Sequence, residues 1–315
     1  MSGASPLSHV KVIAEIGCNH MGDLEVAKEM IRIAAKVCGA DVAKFQKRNS
    51  RELLTPEEYD RPHPVPAFAY GPTYGAHREF LEFDVDQHRE LQEECRSMGI
   101  EYSTSVWDMT SAIEMTALDP KLLKLPSATN QHFELQDYLC RNFAGEIHVS
   151  TGMTTHQELE AIVGFYEARG RAKDLVLYAC TSGYPVAFDD ICVLEINRLQ
   201  ILYGSRVKAI GFSGHHHGIA ADIAAMTAGF LGEQQYGHGR FAYIERHFTL
   251  DRTAKGTDHA ASLETDGMRR LCRDLRNVAQ ALTYKPREIL DVEAVQRDKL
   301  KWTAEKHGGT RQAAE

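Results

Sequence analysis

The sequence lacks most of the features that mark several large protein classes. Its seven cysteines (Cys18, Cys38, Cys95, Cys140, Cys180, Cys192 and Cys272) are odd in number, scattered, and never form a C-x-x-C pair. That argues against a disulfide framework or a structural zinc site and makes a reducing cytoplasm the expected location. No apolar run approaches the roughly 20 residues of a membrane-spanning helix. Residues 1–9 show no basic start leading into an apolar stretch, so no signal peptide is expected. Basic charge is in deficit, with 36 Lys and Arg against 44 Asp and Glu and a net charge of −8. Nonspecific nucleic-acid binders are usually basic, so neither nucleic acid nor membrane is an expected partner. Neither G-x-G-x-x-G nor G-x-x-x-x-G-K-[ST] occurs, which disfavours a doubly wound sheet that opens on a phosphate loop.

What is present is a chain of 315 residues, 43% apolar and 25% charged, long enough to bury a large core. Eight short apolar runs recur, separated by helical patterns: Val10–Gly17, Val42–Gln46, Tyr102–Val106, Leu122–Ser127, Ile147–Gly152, Leu175–Thr181, Ala209–Gly214 and Tyr243–Thr249. Strand–helix alternation predicts parallel β-α units, and continuous apolar strands suit a sheet covered on both faces. Eight units over about 250 residues predict an α/β fold of the (β/α)8 TIM barrel type. The expected division is a tail at 1–9, a barrel over 10–285, and a charged, helical extension over 286–315. Two stretches break the rhythm. Arg51–Phe83 holds five prolines and three tyrosines and reads as a long loop after the second strand. Gly232–Arg240 reads as a polar, glycine-bounded insertion before the eighth strand.

Barrel enzymes draw their catalytic groups from the C-terminal ends of the strands. Here those ends carry Glu15 and Gly17-Cys18-Asn19-His20, then Lys44 and Gln46, then Ser103-Thr104-Ser105. They continue with Lys124 and Ser127, Ser150-Thr151-Gly152, Thr181-Ser182-Gly183-Tyr184, Ser213-Gly214-His215, and Glu245-Arg246-His247. A strand-end hydroxyl most often caps the next helix. A lysine inside an apolar strand is harder to dismiss, because a buried ammonium needs a partner anion. Lys44 and Lys124, with hydroxyls at neighbouring strand ends, together favour an anion site. His215 and His247 end adjacent strands, and two imidazoles with carboxylate and water oxygens suit a first-row divalent metal. His216, His217 and His238 are expected to be structural or to lie at the substrate rim. Glu15 either neutralises a lysine or acts as a general acid/base. Asp258 either serves the site or caps the helix expected to start near Ser262.

At this point eight blocks of the sequence can be set beside a known family. They are EIGCNHMGD, VAKFQ, TYGAHREFLEF, KLPSATN, STGM, ACTSGYP, GFSGHHHGI and ERHFTLDRTAKGTDHAASLE. In this order and over residues 10–285 the chain resembles the sialic acid synthases, the N-acetylneuraminate synthases and their 9-phosphate relatives. The resemblance implies condensation of phosphoenolpyruvate with an N-acetylmannosamine-like aldose, or its 6-phosphate. The products would be a nonulosonic acid, or its 9-phosphate, and inorganic phosphate. It implies that His215 and His247 hold a divalent metal, manganese first, with magnesium or cobalt as alternatives. It implies that Lys44, Gln46, Thr104, Lys124, Ser127, Ser150, Ser182 and Ser213 surround phosphoenolpyruvate. Glu15, Tyr184 and Asp258 would face the sugar, with Glu15, Lys44, Lys124 and His215 the catalytic set.

Two departures from the family pattern stand out. Many members place an acidic residue after the position of Ser127, where this chain runs Ala128-Thr129-Asn130. Members also usually carry a small antifreeze-like domain after the barrel, which is expected to be missing here. A homo-oligomer is a further expectation. The competing readings are a related ulosonate synthase using a different aldose and a non-catalytic barrel that binds a sugar phosphate. A phosphorylated sugar would need extra cations at the rim, where Arg51, Arg61, Arg78 and Lys255 are available.

Overall fold

The computed structural model describes residues 10–303 and Lys306. The expected tail at 1–9 and positions 304, 305 and 307–315 of the expected extension lie outside the described residues. Eight parallel strands close into a barrel in sequence order. They are β1 (Lys11–Gly17), β2 (Val42–Lys47), β3 (Glu101–Val106), β4 (Leu122–Leu125), β5 (Glu146–Ser150), β6 (Leu175–Cys180), β7 (Ala209–Gly214) and β8 (Phe241–His247). All eight fall where the apolar runs predict them, with ends shifted by a few residues. The largest shift is in β8, two residues earlier at both ends, while β4 ends two residues early because Pro126 has no N–H for the ladder and Ser127 opens a short 3-10 turn.

Helices cover the outside. In chain order they are α1 (Leu24–Ile33), α2 (Ser50–Leu53), α3 (Pro56–Asp60), α4 (Tyr74–Phe80), α5 (Val85–Met98) and α6 (Met109–Thr116). They continue as α7 (Phe133–Asn142), α8 (His156–Ala168), α9 (Glu195–Tyr203), α10 (Ala220–Tyr236), α11 (Thr265–Ala281) and α12 (Asp291–Leu300). Side-chain caps start many of them. Thr155 and Glu158 form a capping box at α8, and Asp84 and Gln87 form one at α5. Their apolar stripes meet the outward face of the sheet in one continuous core.

The strands point alternate residues inward, and the register carries that parity round the barrel. Lys44 pairs with Ser103, Ser105 with Lys124, Lys124 with His148, Ser213 with Glu245, and Glu15 with His247. The inward residues form two levels. Near the N-terminal ends lies an apolar plug of Ile13, Val42, Leu122, Val176, Tyr178, Ala209, Ala242 and Tyr243. Above it the inward positions are almost all polar. With only helices outside and a filled interior below, these polar groups have a single free direction, towards the C-terminal mouth.

Three expectations are corrected. Arg51–Phe83 is not a structureless loop: it holds α3, α4 and a 3-10 turn at Pro66–Phe68. Two of its five prolines open helical turns, Pro56 at the first turn of α3 behind the Thr55 cap and Pro66 at the start of the 3-10 turn. Most of the proposed Gly232–Arg240 insertion is the last turn of α10, which ends on Gly237 at φ +70°, so only a short link to β8 remains. Asp258 does not cap α11, whose cap position is Glu264; a 3-10 turn at His259–Ala261 intervenes. Past Pro286 the chain forms α12, which is exposed on most of its surface.

Candidate active site

The mouth of the barrel holds a cavity of about 390 Å³. Its floor is a set of four buried charges, Glu15, Lys44, Lys124 and Glu245, each no more than 3% exposed. Lys44 Nζ lies 2.5 Å from Glu15 Oε2 and 3.7 Å from Glu245 Oε2, and donates to Ser105 Oγ at 2.9 Å. Lys124 Nζ lies 2.5 Å from Glu245 Oε1, which also accepts from Ser213 Oγ at 3.1 Å. Gln46 Nε2 donates to Glu15 Oε1 at 3.0 Å. Lys124 rests over the Tyr178 ring, 4.4 Å from its centroid.

The two lysines differ in proton affinity. Burial works against both ammoniums, but Lys44 has Glu15 and Glu245 beside it and is raised above the ordinary lysine value. Lys124 has Glu245 against burial and the charge of Lys44, and is lowered. Glu245 is resisted by burial yet held well below the usual carboxylate range by Lys124 and Lys44. Lys124 therefore gives up its proton more readily than Lys44.

One wall carries the two imidazoles. The rings of His215 and His247 are 5.3 Å apart, with Tyr184 packed against both at 4.4 and 5.9 Å. His215 Nδ1 lies 3.0 Å from the Thr181 carbonyl, which can only accept. That bond places the proton on Nδ1 and leaves the Nε2 lone pair free. Burial, then the neighbouring His247, pushes His215 down to about 3, so its neutral form prevails. His247 Nδ1 is buried without a hydrogen bond and lies 3.9 Å from Asp258 Oδ2.

Of the residues expected from sequence, Glu15, Lys44, Gln46, Lys124, Ser127, Ser150, Ser182, Tyr184, Ser213, His215, His247 and Asp258 all line this cavity. Thr104 does not. It is fully buried on the outward face of β3, with its hydroxyl against the Ser105 carbonyl at 3.3 Å. Period-two alternation makes Ser105 the inward residue, and Ser105 lines the cavity in its place. His216 is buried behind β7 against Arg246, and His238 borders a shallow hollow formed with Lys173, Lys208 and Arg240.

Sequence reasoning placed Glu245 at the end of the eighth strand but gave it no role, although it lies two residues before His247 on the same strand face. It also missed much of the rim. Arg48 sits at the end of β2 with its Nε 2.5 Å from Glu82, and Trp107 follows β3. His77 comes from α4, beside the expected Arg78, and all four line the cavity. Of the rim cations expected, only Arg78 lines it. Arg51 pairs with Glu79 at 3.2 Å, and Arg61 and Lys255 rest over Tyr74 and Tyr70 at 5.2 and 4.5 Å.

Among the described residues no three His, Cys, Asp or Glu side chains gather into a ready-made metal cage. The His215–His247 pair still suits a divalent ion: one imidazole nitrogen is aimed free, another is buried without a partner, and water and substrate oxygens can complete the shell.

Comparison with known proteins agrees with this architecture. The chain is 35% identical over 290 residues to N-acetylneuraminate-9-phosphate synthase of Homo sapiens, covering 92% of this chain and 76% of that one. It is 29% identical over 272 residues to N,N'-diacetyllegionaminic acid synthase of Campylobacter jejuni, covering 86% and 77%. In fold it matches the sialic acid synthetase of Leptospira borgpetersenii in complex with citrate, with a TM-score of 0.74, 24% identity and 94% of both chains covered. A more distant barrel, the DAHP synthase of Thermotoga maritima, matches at a TM-score of 0.62 and 14% identity, over 87% and 71%. Residues 30–287 match the NeuB family, and the chain belongs to it.

Proposed function

We propose that this chain is a synthase that condenses phosphoenolpyruvate with a mannosamine-type aldose to give a nonulosonic acid and phosphate. The observation that carries the reading is the floor of the cavity. Two buried ammoniums and a ring of strand-end hydroxyls (Ser105, Ser127, Ser150, Ser182, Ser213) converge there, beside two imidazoles. Lysines and hydroxyls are what a phosphate and a carboxylate require. Without ligand, Glu15 and Glu245 balance Lys44 and Lys124. An anion binding here exchanges a carboxylate partner for its own oxygens.

The π electrons at C3 of phosphoenolpyruvate form the new C–C bond to the aldehyde carbon, and the aldehyde oxygen takes a proton. Water adds at C2 and gives up a proton, and the resulting tetrahedral carbon expels phosphate by C–O cleavage. A 2-keto acid remains. Lys44 and Lys124 offset the charge on phosphate and carboxylate throughout. Glu15, held by Gln46 and Lys44 at the cavity floor, moves the proton at the attacking water. His215 and His247 would hold manganese, which supplies Lewis-acid polarisation of the aldehyde when bound. The Nδ1–H bond of His215 to Thr181 orients that ring for ligation.

The test is phosphate release from phosphoenolpyruvate with added Mn²⁺, against N-acetylmannosamine, its 6-phosphate, mannose and arabinose 5-phosphate. Release that needs both metal and a mannosamine-type sugar is the expected result. Release with arabinose 5-phosphate alone would reassign the acceptor. Absence of phosphoenolpyruvate binding by calorimetry would overturn the synthase reading.

A further inference from the structure

The plug beneath the floor carries a polar seam. His148, fully buried on β5, lies between the rings of Tyr178 and Tyr243, with centroids 5.5 and 4.7 Å away. Its Nδ1 is 2.8 Å from the Tyr178 hydroxyl, and its Nε2 is 3.2 Å from Glu146 Oε2. The same carboxylate oxygen accepts from the Tyr243 hydroxyl at 2.8 Å, and Glu146 Oε1 lies 3.2 Å from Lys208 Nζ. Burial opposes the charge on Glu146, yet His148, Tyr243 and Lys208 hold it down to about 2. A carboxylate can only accept, so it fixes the His148 proton on Nε2. Burial lowers His148 below the ordinary imidazole value in spite of Glu146, so the ring is neutral and Nδ1 offers a lone pair. The Tyr178 hydroxyl therefore donates to it, and the seam has one direction, from Tyr178 through His148 to Glu146.

The upper end of this seam is the ring on which Lys124 rests, 4.4 Å from the centroid. Space for that ring comes from β7, where Gly211 has no side chain: a Cβ there would come within 2.8 Å of Tyr178 Cε1. A phenol that donates its proton to an imidazole becomes richer in electrons, which strengthens the attraction of its face for a cation. The two lysines of the floor are thus held by different means. Lys44 has two carboxylates beside it. Lys124 has one, Glu245, and the ring below. A carboxylate competes with an incoming anion for the ammonium, whereas a ring beneath it does not.

We propose that Tyr178 is a positioning residue for Lys124: its ring, anchored by His148 and Glu146 and admitted by Gly211, seats the ammonium while Glu245 gives way to an anionic group of the substrate. The inference rests on the synthase reading above. The seam lies outside the cavity and touches no substrate, so it acts only through Lys124.

The experiment compares wild type with Tyr178→Met, Tyr178→Leu and Tyr178→Phe. Calorimetry with added Mn²⁺ gives the Kd of phosphoenolpyruvate and of inorganic phosphate, turnover gives KM for each substrate, and urea denaturation gives the unfolding midpoint. Met and Leu remove the π face while filling different volumes; Phe keeps the face and loses the hydroxyl. Both aliphatic variants are expected to weaken phosphoenolpyruvate binding by about 3- to 30-fold and to leave the KM for the sugar unchanged. Tyr178→Phe is expected to recover most of that loss, although it strands His148 Nδ1 and lowers the urea midpoint. Wild-type affinity in Tyr178→Met or Tyr178→Leu would overturn the proposal. So would an equal loss in Tyr178→Phe, which would trace the effect to the hydroxyl, or a matching loss for both substrates, which would mark a general loosening of the barrel. If wild type binds phosphoenolpyruvate but releases no phosphate with any sugar, the synthase reading falls and the affinity series alone decides the role of Tyr178. If wild type binds neither phosphoenolpyruvate nor inorganic phosphate, both readings fall.

Discussion

Glu245 and Arg246 are neighbours in β8, yet they serve ion clusters of different kinds. Glu245 points inward and joins Lys44 and Lys124 under an open cavity. Arg246 points outward and is wholly buried between the sheet and α10. Its guanidinium reaches Asp222, the backbone oxygen of His216, the Gly218 carbonyl at 2.8 Å and His216 Nε2 at 3.1 Å. The outer cluster gives the two terminal nitrogens of its arginine four protein acceptors, leaves Nε without one, and lies behind the sheet, away from the barrel mouth. The inner cluster is compact too, but its lysines line a space that a ligand can reach. A buried charge by itself therefore marks no site; a buried charge that borders a cavity does.

The comparison can be broken at several points. The largest expected effect belongs to the inner cluster. Glu15→Gln should lower turnover by about 10²- to 10⁴-fold in the folded fraction while leaving bound manganese near wild type. Near-normal phosphate release would remove Glu15 from the chemistry. Arg246→Met should act the opposite way. It strands Asp222 uncompensated and should cost about 3–5 kcal/mol in urea denaturation, with unchanged KM values in the folded fraction. A loss below about 1 kcal/mol would show that the outer cluster does not hold β8 to α10.

Acidification should separate both clusters from the packing behind them. His20 and His88 are buried, chiefly by desolvation held at about 3, and so stay neutral in the folded chain. Unfolded, they take up protons from the ordinary value of 6.5 downward. Their contribution is thus complete above 6.5 and is lost as pH falls towards 3. Near pH 5 the stability should fall by about 2.7 kcal/mol per pH unit from this pair alone. Carboxylates such as Glu146, held down to about 2, weaken only below 4.5, so the two windows are distinct. A flat stability between pH 6.5 and 5 would contradict the assignment. The smallest effect should come from Arg206, which spans Glu160 and Glu167 on the surface at 2.8 Å each. Arg206→Ala should change the unfolding midpoint by the equivalent of about 1 kcal/mol or less.

The barrel was legible because a strand covered on both faces must be apolar along its length, and eight such runs stand out from amphipathic helices. The floor of the site was legible for the complementary reason: Glu15, Lys44 and Lys124 are charges where the pattern calls for apolar side chains. Parity was the signal left unused. Counting by twos from Lys44 through its register partner Ser103 selects Ser105 over Thr104, and counting back from His247 selects Glu245. The rim was less legible. Arg78 was one of four available cations, and only the folding of residues 51–83 into short helices carries it and His77 over the mouth while turning Arg51 outward. No periodicity in that proline-rich stretch encodes the arrangement. His216 shows the reverse: its triplet of histidines invites a functional reading, but the turn after β7 buries it as a prop for Arg246.

The apolar plug beneath the floor has a kinetic consequence. Ile13, Val42, Leu122, Val176 and Ala209 seal the N-terminal end of the barrel, so the cavity behaves as a flask with one neck. A molecule seated at the bottom of a flask must arrive before whatever fills the neck, and must wait for it to leave. Traffic through such a vessel runs in a fixed order, with the deepest occupant first in and last out. Product-inhibition patterns would then report the depth of each ligand as directly as a map of the barrel does.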